Sequence, residues 1–507
     1  MQTVAASRRA PVLSTQPRTL LALILVGGTV LRLISLGTES LWFDEAYSVW
    51  VARHGVAWQF VQSTQRIFPP AYYVLLHFWL GLGSSESAVR LLSVVLGVLS
   101  ILAIYALATR LFNAQVGLIS AFLLAISPLH IAYSQEARMY ILLAVLGLGS
   151  AYCMLLALSE GKRWHWLAYV LCTALAMSTH YFALFLAPFQ NLYVLYLWWR
   201  RRVRPGLPKG LPVLRAYGWW GWLLSQVVVA LLSIIGLAGV FSSETTYWWG
   251  LLDTWHGAPT LRDLVSTLFN FSLGTTVQNR MLYLGGLSIF GFCAAWSLVD
   301  VKKRRPVLDD GLLFAGLYLL VPLGAVFVLS QFQSFWVLRY IFPFLPAWCI
   351  IVARGLERMP GRILRPLMML AIVLTSVWPI ANLYRYQQKE DWRGAVSYIS
   401  SLERPGDVII LVDEDIWLPF EHYYRGPTPR MGISRGVTDR DLLAARIGTL
   451  LATPPLRGAT DTRIWLVLSH TDNFLSKEYL KTSRYTQLVS EKVFTQIEVD
   501  LFAITNP

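Results

Sequence analysis

Two adjacent carboxylates, Asp44 and Glu45, stand in Leu41-Trp42-Phe43-Asp44-Glu45-Ala46-Tyr47-Ser48, directly after the first long apolar run. Charge at the depth where a span leaves the membrane is expensive and is kept mostly where it performs a task. A carboxylate there can take the proton of a hydroxyl, and a second one can bind or orient. Neighbouring helix positions point roughly 100° apart, so the pair should divide these roles. A purely structural reading stands beside this one: Asp44 caps a helix running to Gly55, with Glu45 favourable in its first turn.

Further along come Phe68-Pro69-Pro70-Ala71-Tyr72-Tyr73 and Tyr133-Ser134-Gln135-Glu136-Ala137-Arg138-Met139-Tyr140. Read as a helix, the second stretch turns Glu136 and Arg138 away from each other, so each should seek its own partner. The structural alternative for Arg138 is a snorkelling interfacial cation. His180, after Ser178-Thr179, closes an apolar segment, where a lone histidine either packs or functions. Arg339, in Leu338-Arg339-Tyr340-Ile341-Phe342-Pro343-Phe344-Leu345-Pro346, is either interfacial or a contact for a lipid phosphate. Pro343 and Pro346 should kink that span and open space around it.

The elements that must position these residues are membrane helices. The chain has 507 residues, 55% of them hydrophobic and 14% charged, against roughly 25% charged in soluble domains. Apolar runs lie near 19–37, 87–109, 115–132, 140–158, 166–179, 182–199, 217–241, 283–300, 311–330, 338–356 and 364–383, about eleven spans. The segment 69–82 is apolar but too short to span, which suits an interfacial or re-entrant helix entered through Pro69 and Pro70. The first run lacks a small-residue cleavage site and reads as a retained span.

The net charge of +14 invites a nucleic-acid reading, but the cations cluster in short loops between spans. Alternate loops carry twenty and seven Lys and Arg, the richer set including the N-terminus. That asymmetry marks the cytoplasmic side, so we expect no nucleic-acid partner. The expected location is the plasma (inner) membrane, multi-pass, with a cytoplasmic N-terminus and an extracytoplasmic C-terminus. On this topology Asp44, Glu136, Arg138, His180 and Arg339 all fall on the outer side. Cys153, Cys172, Cys293 and Cys349 all lie in apolar segments and imply no disulfide framework.

From Tyr386 the composition becomes that of a soluble domain. Residues 389–399 read as an amphipathic helix, 407–412 and 463–468 as buried strands, and 484–504 as a terminal hairpin. The expected organisation is therefore a polytopic α-helical membrane domain over 1–385, with a catalytic first external loop at 38–86, and a small extracytoplasmic α/β domain over 386–507.

These stretches resemble the membrane-embedded GT-C glycosyltransferases, specifically bacterial relatives of protein O-mannosyltransferases and of lipid A aminoarabinose transferase. The resemblance is carried by LWFDEAYSVWVARHG (41–55), FPPAYYVLLHFWL (68–80), residues 87–113, ISPLHIAYSQEARMYILL (126–143), RYIFPFLPA (339–347) and KEDWRGAVSYI (389–399). It implies a polyprenyl-phosphate-linked sugar as donor, used on the outer face, with Asp44 as the catalytic residue. One departure is Phe68 before Pro-Pro, where lipid A aminoarabinose transferase has a lysine, so that phosphate contact is not carried over.

The chemistry agrees from first principles. A sugar phosphodiester carries one negative charge, and its phosphate leaves with nearly two, which cations such as Arg138 and Arg339 would stabilise. A phosphate needs no general acid to leave, so one base suffices and the product is inverted. Asp44 is expected as that base, with Glu45 beside it in the catalytic pair. Glu136, Arg138, His180, Arg339, Tyr72 and Tyr140 are expected to bind substrate. No cofactor is required by this pattern, and a divalent cation against Asp44 is left open because one Asp-Glu pair does not specify a metal. Expected partners are the donor, membrane lipid and a protein, glycolipid or polysaccharide acceptor of the cell envelope. The readings to be weighed against this hexosyl- or pentosyltransferase are a secondary transporter, a lipid-linked oligosaccharide ligase and a non-catalytic scaffold.

Overall fold

The computed structural model describes residues 15–65, 69–203, 218–239, 257–277, 279–300, 305–306, 308–361, 363–386, 389–412, 416–433, 462–469, 475–482 and 486–504. Contacts divide the chain into two compact units. A membrane unit comprises residues 1–34, 54–82 and 88–385, and an α/β unit comprises 35–53, 83–87 and 386–507. The expected catalytic loop 38–86 is thereby divided, its acidic stretch belonging with the α/β unit.

The membrane unit opens with α1 (Thr15–Leu33). After α2 (Phe43–Arg53), which belongs to the α/β unit, come α3 (Val56–Gln65), α4 (Ala71–Trp79), α5 (Glu86–Leu111), α6 (Ala114–Ala125), α7 (Pro128–Ser134), α8 (Tyr140–Glu160) and α9 (Arg163–Met177). Next are α10 (Leu186–Val203), α11 (Gly218–Ala238), α12 (Leu261–Leu273), α13 (Arg280–Trp296), α14 (Asp310–Leu329), α15 (Leu338–Ile341), α16 (Leu345–Arg358) and α17 (Leu364–Arg385). Among the described residues six helical segments are long and apolar enough to cross a membrane: 86–111, 140–160, 181–200, 310–329, 338–358 and 364–385. The pair α6–α7 adds a seventh if its two halves, bent by 64°, count as one span. Helices of 19, 15, 21 and 17 residues stand at the other four expected positions. The protein is a multi-pass membrane protein. The apolar stretch after Pro70 forms α4 and a short 3-10 turn ending at Leu82, too short to span.

Local sequence explains the breaks. Asn113 caps α6 by accepting from the Val116 N–H at 3.0 Å. The bend after α6 falls at Ser127-Pro128, because proline has no N–H to give and disfavours helical geometry in the residue before it. Gly161, at a φ of 68°, ends α8 in the left-handed conformation that glycine adopts without strain. Polar side chains then hold neighbouring spans together. Gln190 on α10 donates to Ser150 on α8 (2.8 Å) and accepts from Tyr169 on α9 (2.9 Å). Gln226 on α11 donates to the same Tyr169 oxygen at 2.9 Å. Such bonds replace the hydrophobic drive that lipid cannot supply.

The α/β unit contains α18 (Trp392–Leu402), α19 (Trp417–Tyr423) and α20 (Leu475–Thr482). A two-residue pair, β1 (Val299–Asp300) and β2 (Arg305–Pro306), precedes it in the membrane unit. The sheet strands are β3 (Val408–Val412), β4 (Arg430–Ile433), β5 (Arg463–Ser469), β6 (Thr486–Phe494) and β7 (Ile497–Ile504), in the order β4-β3-β5-β7-β6. The pairings β3–β4 and β3–β5 are parallel, whereas β7 runs antiparallel to both β5 and β6. Every residue of β3 is buried, because both sheet faces are covered. Ile409 and Leu411 pack towards Trp392, Val396, Ile399 and Phe420, while Ile410 and Val412 pack towards Leu480 and Phe502. The strands at 407–412 and 463–468, the amphipathic helix and the terminal hairpin of the sequence reading are all present.

Candidate active site

In the membrane unit, two arginines and a histidine meet around aromatic rings. The turn between α7 and α8 carries Glu136 and Arg138. Here the structure corrects the helical reading of this stretch: residues 135–139 form an irregular turn, closed by the Arg138 N–H donating to the Glu136 carbonyl at 2.8 Å. Helix spacing therefore does not govern where the two side chains point. The Arg138 guanidinium is buried, with its carbon 5.9 Å from the centre of the Tyr140 ring. Arg339, on α15, lies 5.7 Å from the Tyr340 ring in the same manner. The two tyrosine rings are 6.4 Å apart, and His180 contacts both, at 6.0 and 5.1 Å. Both arginines act electrostatically on that imidazole.

His180 is the cap of a 3-10 turn over Tyr181–Phe185, and its Nδ1 accepts from the Phe182 N–H at 3.2 Å. An accepting Nδ1 leaves Nε2 as the protonated nitrogen of the neutral ring, free in chemical terms to donate to an anion. Tyr133 and Phe342 extend the aromatic wall, 4.5 Å apart. The expected kink after Arg339 is present as a break. Pro343 is the second residue of a 3-10 turn over Phe342–Phe344 and Pro346 lies in the first turn of α16, positions where a missing N–H costs least. Tyr72, fully buried on α4, belongs to this unit too, and the Ala71 N–H donates to the Ser178 carbonyl at 2.8 Å, two residues before His180. Phe68 lies outside the described residues.

Asp44 and Glu45 sit in the α/β unit. The helix α2 begins two residues earlier than the capping reading expects: the Ala46 N–H bonds the Trp42 carbonyl at 2.9 Å, so Asp44 is inside the first turn rather than its cap. Both acids still favour the positive end of the helix dipole. Their environments differ. Asp44 is half-buried, while Glu45 is 0% exposed and paired with Lys389 at 3.2 Å.

Two supporting groups escaped the sequence reading. Arg32, near the end of α1, is 0% exposed. Its Nε donates to Ser134 (3.1 Å), its Nη1 to the carbonyls of Gly28 (2.7 Å) and Ala125 (3.1 Å), and its Nη2 to the Leu124 carbonyl (3.2 Å) and His130 Nδ1 (2.7 Å). Gln135 in turn donates to the carbonyls of Arg32 (3.0 Å) and Ile34 (2.7 Å). The end of α1 thus grips the α6–α7 bend and the start of the turn that carries Arg138. A lone arginine inside the first apolar run was the signal available for it. Tyr423 is the second case: its hydroxyl accepts from the Leu41 N–H at 2.7 Å and donates to Glu86 at 3.1 Å. Burial, followed by the Glu86 charge, pushes this phenol up, so it remains a neutral donor. Nothing in its sequence context marked it.

Among the described residues, Glu491, Glu498 and Asp500 are grouped closely enough to hold a metal ion. The Lys477 ammonium stands among them, 3.2 Å from Glu491 and 3.4 Å from Asp500, with Glu498 as a third partner. It fills the place of a cation, and the cluster reads as an ion-pair network.

A family model described as dolichyl-phosphate-mannose-protein mannosyltransferase matches residues 68–220. No curated protein matches the sequence. Among solved structures, ArnT from Cupriavidus metallidurans in its apo state is similar over 96% of this chain and 98% of its own, at 16% identity and a TM-score of 0.60. The same protein bound to undecaprenyl phosphate is similar over 96% and 97%, with a TM-score of 0.57. The Archaeoglobus fulgidus oligosaccharyltransferase tethered to an acceptor peptide is similar over 90% of this chain and 69% of its own, at 13% identity and a TM-score of 0.52. At these identities the likeness is one of fold, and it extends over both units.

Proposed function

We propose that this chain, a member of the GT-C superfamily by its fold and its matched segment, transfers one sugar from a polyprenyl-phosphate donor to an acceptor hydroxyl. The observation that carries this reading is the pair of arginines, Arg138 and Arg339, set with His180 among aromatic rings in the membrane unit. Two fixed cations beside a neutral histidine donor suit a phosphate whose charge grows as it leaves. The solved ArnT with undecaprenyl phosphate supports a lipid-phosphate donor for this fold.

In the proposed reaction Asp44 takes the acceptor's O–H proton as that oxygen attacks the anomeric carbon. The bond from that carbon to the phosphate oxygen breaks, its electron pair leaves on the phosphate, and the configuration inverts. Arg138 and Arg339 hold the departing phosphate, His180 donates to one of its oxygens, and Glu136, Tyr72 and Tyr140 shape the binding site. Glu45, buried against Lys389, orients the acidic helix. The loop-charge asymmetry supports a reading in which this chemistry takes place on the outer face of the plasma membrane, with the N-terminus inside. The acceptor class is a protein, glycolipid or polysaccharide, and the sugar a hexose or pentose.

The test is transfer by the purified protein in nanodiscs, from a panel of labelled polyprenyl-phosphate sugars. Wild type should consume one donor. Asp44→Asn should lower kcat by about 10² to 10⁴, the usual worth of a general base. An Asp44→Asn protein that is folded and fully active refutes Asp44 as base, and folded wild type that consumes no donor refutes the transferase.

A further inference from the structure

The acidic helix belongs to the α/β unit, and the contacts that fix it are specific. Leu41, just before α2, gives its N–H to Tyr423 on α19. Ser40 donates to the Glu390 carbonyl at 2.9 Å. Arg393 on α18 donates to the Thr38 carbonyl at 2.9 Å and pairs with Glu86 at 3.7 Å, the same carboxylate that accepts from Tyr423. Within the helix, the Trp50 ring meets Trp417 edge to face, 6.1 Å between centres. At its start Glu45 is completely buried against Lys389.

Burying Glu45 decides the rotation of the helix. An ionised carboxylate removed from water needs a counter-charge, and Lys389 supplies it. With Glu45 locked in that direction, Asp44 must point about 100° away. Glu45 is thereby committed to Lys389, and Asp44 is turned in a different direction.

We propose that Lys389 and Tyr423 of the C-terminal α/β unit are positioning residues for Asp44, and that this unit is the jig that presents Asp44 and withholds Glu45 from the chemistry. The proposal rests on Asp44 being the base and adds a role for the C-terminal region. Lys389 follows the last membrane helix by four residues, so the jig begins where the chain leaves the membrane unit.

The test uses the full-length protein in nanodiscs and two independent readouts. The first is amide hydrogen exchange of residues 41–53. The second is initial-rate kinetics with the donor identified above. Lys389→Met and Tyr423→Phe should each speed exchange in 41–53 and lower kcat roughly tenfold to a hundredfold, the cost expected of a misplaced reacting group, with donor KM within about twofold of wild type. Lys389→Arg, which keeps the charge, should retain most of the rate. The swap Lys389→Glu with Glu45→Lys should recover rate relative to Glu45→Lys alone. Unchanged exchange and unchanged kcat in Lys389→Met overturn the proposal, as does a Lys389→Arg protein as impaired as Lys389→Met. If wild type transfers no sugar, the functional reading fails while the exchange data still decide whether these residues hold the helix.

Discussion

Replacing Arg32 by methionine keeps an unbranched chain of similar reach but removes five hydrogen bonds from a site with no access to water. The losses are unequal. The Leu124 carbonyl retains the Ser127 N–H at 3.4 Å, and His130 Nδ1 retains the Ser134 hydroxyl at 3.4 Å. The Ala125 carbonyl, at the end of α6, depends on the arginine. An orphaned buried carbonyl costs about 1–3 kcal/mol, and the small void left by the guanidinium adds about 1 kcal/mol more. Relief of the desolvated charge returns part of this, so the net loss expected is about 2 kcal/mol, roughly thirtyfold in the unfolding constant. Unfolding of the full chain in micelles, titrated with SDS and followed by near-ultraviolet circular dichroism, would read the shift in midpoint. Arg32→Lys keeps a charge without the planar fork and should fall between wild type and Arg32→Met. An Arg32→Met protein with the wild-type midpoint would refute the argument that this arginine holds the α6–α7 bend.

Two further outcomes follow from the packing and from the electrostatics. A β-carbon at Gly355 would lie 1.7 Å from the Cys293 carbonyl oxygen, so Gly355→Ala should force α13 and α16 apart and destabilise the membrane unit by about 1–3 kcal/mol, measured as a lower thermal midpoint in micelles. In the α/β unit, burial first, then Arg53 and Arg425, depress the His422 imidazole to about 4. Its unfolded form binds a proton near pH 6.5 while the folded form does not, so this residue's contribution to stability is intact above that pH. It is lost as pH falls from about 6.5 towards about 4, and His422→Gln should flatten that part of a stability-versus-pH curve. A curve unchanged by the substitution would remove His422 as its cause.

The sequence by itself determined the membrane class, the positions of the long apolar helices and the secondary structure of the C-terminal region, because each rests on a local pattern. Twenty apolar residues and an unbroken buried strand such as 408–412 are legible without knowing what packs on them, whereas the break at Ser127-Pro128 was read through as one span over 115–132. It also picked out Arg138, His180 and Arg339 as costly polar groups in an apolar chain. Tertiary structure decided what these groups meet. Residues 135–139 form a turn and not a helix because the end of α1, through Arg32 and Gln135, ties that segment down from about a hundred positions away. Helix geometry already divided the roles of Asp44 and Glu45, and the fold supplied the anchor by burying Glu45 against Lys389, some 340 residues downstream. Helical periodicity reports which face is apolar. Only a distant counter-charge reports which of two adjacent carboxylates is anchored, because the cost of burying charge is set by the partner it finds.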